Sequence, residues 1–342
     1  MSKWSFIGHL TDALQMPRLG ENKLPTLWPS EGSAIIKNEH NEDIIVGKCR
    51  RAAFFRYLIE CYNFYPKYSF WRPLAESLHR NKIPPTPYLL WLWKMGEMYE
   101  DYCIAMAKDS GVYIASQVPL YVKSHNISGK QDIIVINPQT HKYSTIETKS
   151  VYGFNAGSVI GRSLRDKYIP GVPRDSNLIQ IALYDWHFSS PNEDFEESRL
   201  DYGARDTGGK AEYIITTELD PETEITHIKY KQIDPQECAE KTSPITINSI
   251  LNQYTYIQSA LDTGEIPPRD FDLQFSEDKI QLMYERGELA KGDTERHEKW
   301  LDFKQGKRAR NVKAVQKGDW QCRYCNWANV CYDSKDSSPK EL

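Results

Sequence analysis

Three cysteines crowd one end of the chain as Cys322-x2-Cys325-x5-Cys331, and their best fourth partner, Cys49 in Gly47-Lys-Cys-Arg-Arg, lies more than two hundred residues upstream. A fold that unites them must bring distant parts of the chain to one place. By analogy with a disulfide, closing a loop of that span is worth roughly 5 kcal/mol, so this clasp constrains topology more than any local pattern does. Four thiolates suit tetrahedral zinc or an iron–sulfur cluster. A zinc ribbon ordinarily shows two close CxxC pairs, and here there is one. Cys61, Cys103 and Cys238 lack such spacing and read as small core residues.

The first residues, Met-Ser-Lys-Trp-Ser-Phe-Ile-Gly-His, lack an apolar signal region. With seven cysteines, that predicts a reducing, cytoplasmic setting in which thiols serve metal rather than disulfides. No apolar run approaches the roughly 20 residues that span a bilayer, so no membrane partner is expected. A net charge of −4 argues against bulk polyanion binding, and nucleic-acid contact must come from local patches. One such patch is Lys304, Lys307, Arg308, Arg310, Lys313, Lys317 and Arg323, against Asp302 and Asp319; another is Arg162, Arg165, Lys167 and Arg174. A solvated charged face is the competing reading of such runs.

Periodicity and punctuation predict the elements. Pro29-Ser-Glu-Gly-Ser reads as a loop or helix start, Cys49–Tyr62 as a helix, and Leu89–Lys108 as a helix with Leu89, Leu92, Trp93, Gly96, Tyr99, Glu100, Cys103 and Ala107 along one face. Glu100 thereby points to the apolar side, where a carboxylate is costly unless paired or metal-bound. Strands are expected at Val112–Val122, Asp132–Asn137 and Lys142–Lys149, then a helix at Asn177–Phe188, an acidic mobile loop at Ser190–Asp201, strands at Ala211–Thr217 and Thr226–Ile233, and a helix at Ile247–Leu261. That order is an α/β sandwich with extra helices.

Glu147 and Lys149, two apart on a strand, share a face. Asp132, on the strand before, can converge with Glu147 on one edge of the sheet. Carboxylate oxygens of this kind hold magnesium or manganese, with Glu100 as a third ligand. Lys149 would orient the attacking water or stabilise charge on a phosphate. Gln180 and Tyr184 fall one helical turn apart and would contact a phosphate or brace Lys149. Acid-x-lysine alone occurs by chance in almost any chain; the ordered set carries the inference.

Gly96-x3-Glu100, Gly129-x2-Asp132, Glu147-Thr-Lys149 and Gln180-x3-Tyr184, framed by Cys49 and the C-terminal cysteine triplet, resemble the PD-(D/E)XK nuclease superfamily. Within it they are similar to the RecB-like branch that carries an iron–sulfur cluster, which includes CRISPR-associated adaptation nucleases, AddB and phage-encoded exonucleases. The likeness spans roughly residues 47–333 as ordered landmarks. It implies an α/β fold with a restriction-endonuclease-like core, a central mixed sheet flanked by helices, with helical additions and a cysteine cluster joining N- and C-terminal regions. It also implies that Glu100, Asp132, Glu147 and the Thr148 carbonyl hold Mg2+ or Mn2+, that Lys149 is catalytic, and that Gln180 and Tyr184 line the site. Cys49, Cys322, Cys325 and Cys331 would hold a 4Fe–4S cluster, with Zn2+ as the alternative. Many relatives place histidine where this chain has Glu100.

The expected layout is an N-terminal helical region over 1–88 contributing Cys49, a nuclease core over 89–235, and a C-terminal region over 236–342 with the basic segment and the cysteine triplet. The expected activity is metal-dependent exonucleolytic cleavage of single-stranded DNA or duplex ends. Arg162, Arg165, Lys307, Arg308 and Arg310 would contact the strand, and recombination or CRISPR-adaptation proteins would be partners. A catalytically silent DNA-binding subunit, an endonuclease of the same superfamily and a zinc-stapled protein with an accidental acid-x-lysine are the rivals. Cleavage polarity, oligomeric state and pathway are not encoded in these motifs.

Overall fold

The computed structural model describes residues 24–164, 167–189, 194–233, 238–307 and 312–333. A 3-10 turn, Pro29–Glu31, leads into a hairpin of β1 (Ser33–Lys37) and β2 (Asp43–Gly47). Helices α1 (Arg50–Phe64), α2 (Arg72–Asn81) and α3 (Pro87–Asp109) follow, the last capped by the Thr86 hydroxyl, which accepts from Leu89 N. Then come β3 (Tyr113–Val122), β4 (Ile127–Ile136), β5 (Tyr143–Val151), the short α4 (Phe154–Ile160) and a small hairpin of β6 (Arg162–Leu164) and β7 (Lys167–Ile169). Helix α5 (Asp175–Ser189) precedes β8 (Phe195–Ala204), β9 (Lys210–Asp220), β10 (Ile225–Ile233) and β11 (Lys241–Thr246). The C-terminal part holds α6 (Ile247–Thr263), α7 (Glu277–Glu285), α8 (Lys291–Lys304) and two short helices, α9 (Trp320–Arg323) and α10 (Ala328–Asp333).

The fold is α/β, built on a seven-stranded mixed sheet in the order β11-β10-β9-β8-β5-β4-β3. Every neighbouring pair is antiparallel except β5–β8, which is parallel. A parallel pair cannot be joined by a tight turn, and α5 lies within its crossover. Residues Leu178 to Asp185 of α5 are all buried, polar ones included. A helix covered on all sides is a core element; α5 has the sheet on one side and β2, the 3-10 turn and α6 on the other. The core draws on residues from Leu27 to Val330. Helix α3 covers the opposite side of β4 and β5, where Ala107, Ile133 and Val135 pack with Ile104 and Ile146. No described helix is long and apolar enough to cross a membrane.

Most expected elements stand within a few residues of their places. The expected mobile loop at 190–201 does not: from Phe195 onward it is β8, in the middle of the sheet. Its acidic composition hid it. Asn137 and Thr140 donate to Glu196 and Tyr99 donates to Asp201 at 2.6 Å, partners far away in sequence, while Glu197 is met within the strand by Arg199. Asp132 was expected to begin its strand and instead sits in the middle of β4. Trp93, expected on the covered face of its helix, is half exposed.

Behind β8, the α5 residue Asp185 is 2% exposed. One carboxylate oxygen accepts from Thr217 N and Oγ1, both at 2.7 Å, and the other is buried without a partner. Burial pushes its carboxyl up to about 6. The folded protein therefore holds this proton more tightly than the unfolded chain does, so the stability it confers is present near pH 4 and lost as pH rises through about 6. Between those limits Asp185→Asn should gain up to about 3 kcal/mol relative to the parent chain, measured by urea unfolding at a series of pH values. Parallel profiles for the two proteins would contradict the buried titration.

Candidate active site

The sheet splits at one level, and the acidic motifs sit at the split. β4 and β5 pair from Ile136↔Tyr143 to Ile133↔Ile146 and no further. Beyond that point β4 stays with β3 to Ile127, while β5 stays with β8 to Val151. Asp132 and Glu147 are the first residues past the fork. Backbone groups freed there need new partners, and Asp132 supplies one: its Oδ2 accepts from Thr148 N at 2.9 Å and Thr148 Oγ1 at 3.2 Å.

Glu147 is 1% exposed. Its Oε1 accepts from Lys149 Nζ at 2.5 Å and from Gln180 Nε2 at 2.6 Å, whereas its Oε2 is buried with no partner. Burial pushes this carboxyl up to about 8; Lys149 pulls it down, and the negative charges of Asp132 and Glu100 push it further up. Lys149 in turn is held protonated, because Glu147 and Asp132 outweigh its burial. Gln180 and Tyr184 are buried on α5, one turn apart, as expected; the Tyr184 hydroxyl donates to Lys130 O at 3.1 Å.

Glu100 reaches the same place from α3. Burial and Asp132 raise its affinity for a proton, and Lys149 lowers it. Gln117 Nε2 donates to Glu100 Oε1 at 2.5 Å. Gln117 has φ of 54° within β3, between Ser116, opposite Ile133, and Val118, opposite Gln131. A non-glycine residue there stores about 1–3 kcal/mol of strain, and Gln117 spends it on the level of Asp132. Tyr99, the neighbour of Glu100, packs its ring where a Cβ on Gly203 would come within 2.4 Å. That contact and the Tyr99–Asp201 hydrogen bond fasten α3 to β8 beside the fork.

The carboxylates influence one another, yet the oxygens of Glu100, Asp132 and Glu147 do not all close to within 4.8 Å. Among the described residues, the one set of three possible ligands that does so is the exposed Glu39, His40 and Glu288. Positive charge gathers by the fork as well. Lys48 is disfavoured in its charged form by burial and by Lys149 and Arg174. Sequence reasoning missed Lys48 and Gln117. Lys48 stood in view beside Cys49, within Gly47-Lys-Cys-Arg-Arg; Gln117 has no local signal, because its strain and its partner are both set by tertiary structure. Arg162 and Lys307 are exposed, and Lys304 and Lys317 are paired with Glu277 and Asp293. Arg165, Arg308 and Arg310 lie outside the described residues.

The structure also brings the four motif cysteines together. Cys49 caps α1, and it lines a cavity of about 670 Å3 with Cys322, Cys325 and Cys331. Cys325 Sγ accepts from Trp327 N, and Cys331 Sγ faces Arg51 Nη1 at 3.6 Å. Arg269 donates twice to Cys331 O, and Arg50 is bonded to the buried Asp270, so the 267–273 segment ties α1 to the C-terminal cysteines. Burial pushes the Cys49 thiol up to about 12, with Cys325 and Cys331 adding to the shift. No three of these sulfurs lie within 4.8 Å of one another, whereas thiolates on one zinc, with bonds of about 2.3 Å, sit about 3.8 Å apart. Of the other cysteines, Cys61 is fully buried, while Cys103 and Cys238 are partly exposed.

Gly129, just before Lys130 and Gln131, permits another close approach in this region. A Cβ there would lie 2.8 Å from Pro29 Cγ and 3.0 Å from the Tyr184 hydroxyl. Gly129→Ala should therefore cost about 1–3 kcal/mol through overpacking, read as a lowered urea midpoint; an unchanged midpoint would show that the 3-10 turn moves freely off β4.

Comparison with known proteins finds no family model that matches this chain and no match among curated proteins.

Proposed function

We propose that the chain is a divalent-metal-dependent deoxyribonuclease of the PD-(D/E)XK type. The observation that carries the reading is the sheet fork, where Asp132, Glu147 and Lys149 meet and Glu147 keeps one buried carboxylate oxygen without a partner. An orphaned carboxylate oxygen in a buried site fits a hard cation. Asp132 and Glu147 would hold Mg2+ or Mn2+ directly with the Thr148 carbonyl. Glu100 would complete the set through a retained water, in keeping with the reluctance of magnesium to shed its shell. The ion, when bound, supplies the positive charge that offsets negative charge gathering on a phosphate under attack.

The residues of the chain do the rest. Gln180 and Lys149 fix the Glu147 carboxylate in one orientation. Lys149 Nζ would hold the attacking water or donate to a phosphate oxygen as its charge grows. Lys48 and Arg174 offer cations for the neighbouring phosphates of a strand. Preference for strand ends, single-stranded or duplex, rests on the resemblance to RecB-like exonucleases.

For the cysteine cavity, the one-plus-three cysteine distribution and the resemblance to RecB-like nucleases support a 4Fe–4S cluster in a structural role, with zinc as the alternative. Cys49, Cys322, Cys325 and Cys331 would hold it and pin α1, with Lys48 immediately before it, against the C-terminal segment.

Lys149→Ala and Asp132→Ala should each lower Mg- or Mn-dependent cleavage of end-labelled linear DNA by a hundredfold or more, an order-of-magnitude expectation, with an unchanged circular dichroism spectrum. Undiminished cleavage by either variant would remove the assignment, and DNA binding without cleavage in any metal would favour a silent binding subunit. Closed circular single strands should survive; their cutting would make the protein an endonuclease. Purified protein should carry iron and sulfide, and Cys49→Ser should release them and lower the melting temperature. Stoichiometric zinc without iron would instead favour the zinc-stapled alternative.

A further inference from the structure

We propose that Trp28 is a stacking platform for one unpaired base of the bound strand, beside the fork. This rests on the nuclease reading and names the part of the substrate that the site would recognise. Trp28 stands where two cavities meet. It lines the cysteine cavity, with Lys48, Trp93 and Trp320, and a second cavity of about 940 Å3 whose wall includes Lys130, Gln180 and Tyr184 of the active site.

The backbone beneath Trp28 is held firmly. Leu27 N donates to Asn126 O and Ser128 N to Leu27 O, each at 2.9 Å, and the buried Tyr254 hydroxyl donates to Trp28 O at 2.8 Å. Yet the residue is 44% exposed. A large aromatic side chain kept in solvent on a fixed backbone is preorganised for contact, since little conformational freedom remains to be lost on binding. The Arg56 guanidinium lies 3.9 Å from the ring centroid. That cation is not available to a phosphate. Its Nε and Nη2 donate to Glu31, its Nη1 to Glu60, and its Nη2 also to Thr26 O. Arg56 is thus a neutralised brace under the ring, and Trp28 offers stacking without charge. Lys48, which lines the same cavity, would supply a phosphate contact beside it. Aromatic platforms flanked by cations recognise unpaired bases with little regard to sequence. A duplex, whose bases are already stacked, has no base to give.

The competing role is that Trp28 merely covers the Arg56–Glu31–Glu60 ion pairs. A cycle between protein and nucleotide separates the two. Full-length Glu147→Gln protein, which cannot cleave, is titrated with fluorescein-labelled oligothymidylate by anisotropy, along with a series in which one position at a time is abasic. Trp28→Ala should weaken binding of the intact oligonucleotide about tenfold, with Trp28→Phe restoring most of it. One abasic position should cost the Trp28 protein a similar factor and cost Trp28→Ala almost nothing. Blunt duplex should bind the two proteins equally. A loss from Trp28→Ala that is the same for every oligonucleotide, abasic and duplex included, overturns the stacking role in favour of the covering one. So does undiminished binding by Trp28→Ala while the parent enzyme still cuts DNA. Failure of every form to bind any oligonucleotide, with no cleavage by the parent chain, removes the nuclease reading itself and this proposal with it.

Discussion

The parallel pairing of β5 with β8 sets the terms for the rest of the molecule. Two parallel neighbours require a crossover, and the chain meets that requirement with α5, buried on every side. Because α5 crosses directly behind β5, the amide of Gln180 arrives at Glu147 and the phenol of Tyr184 arrives at Lys130. The 3-10 turn, the β1–β2 hairpin and α6 then serve as a second layer over α5, which alone would leave one side uncovered. On the other side of the sheet α3 brings Glu100 to the same level. Function and packing therefore share one helix.

The electrostatics of the fork follow from where the charges are forced to lie. Glu147 is enclosed and carries two hydrogen-bonded partners on one oxygen and none on the other. Its proton affinity is high in the absence of a further cation, and Lys149 offsets only part of the penalty. A buried carboxylate left this way is costly, and holding a proton relieves that cost. Lys48 is crowded in the opposite sense, its charge disfavoured by burial, by Lys149 and by Arg174.

How much of this was legible in the sequence depended on whether partners were near or far along the chain. The helices with regular apolar spacing and the strands with alternating character were readable, as were the acid-x-lysine motif and the one-plus-three cysteines that the cavity brings together. β8 was not, because Glu196, Glu197 and Asp201 look like solvent-seeking loop residues until Asn137, Arg199 and Tyr99 are seen against them. Gln117 was hidden for a related reason: its positive φ is imposed by the fork, and glutamine has no intrinsic preference for that conformation. The role of Gly129 was visible as a motif position but not as a steric one, since Pro29 and Tyr184 come to it from distant parts of the chain on either side.

The latch between α1 and the C-terminal segment has a bearing on biosynthesis. Arg51 and Cys331 are 280 residues apart, and Arg50 reaches Asp270 across 220. Contacts of such separation form late and slowly. During translation, Cys49 is made more than two hundred residues before Cys322, Cys325 and Cys331. The nascent protein thus passes through a long interval in which the sheet can assemble while the cavity around Cys49 still lacks its C-terminal wall and stays open to thiol chemistry.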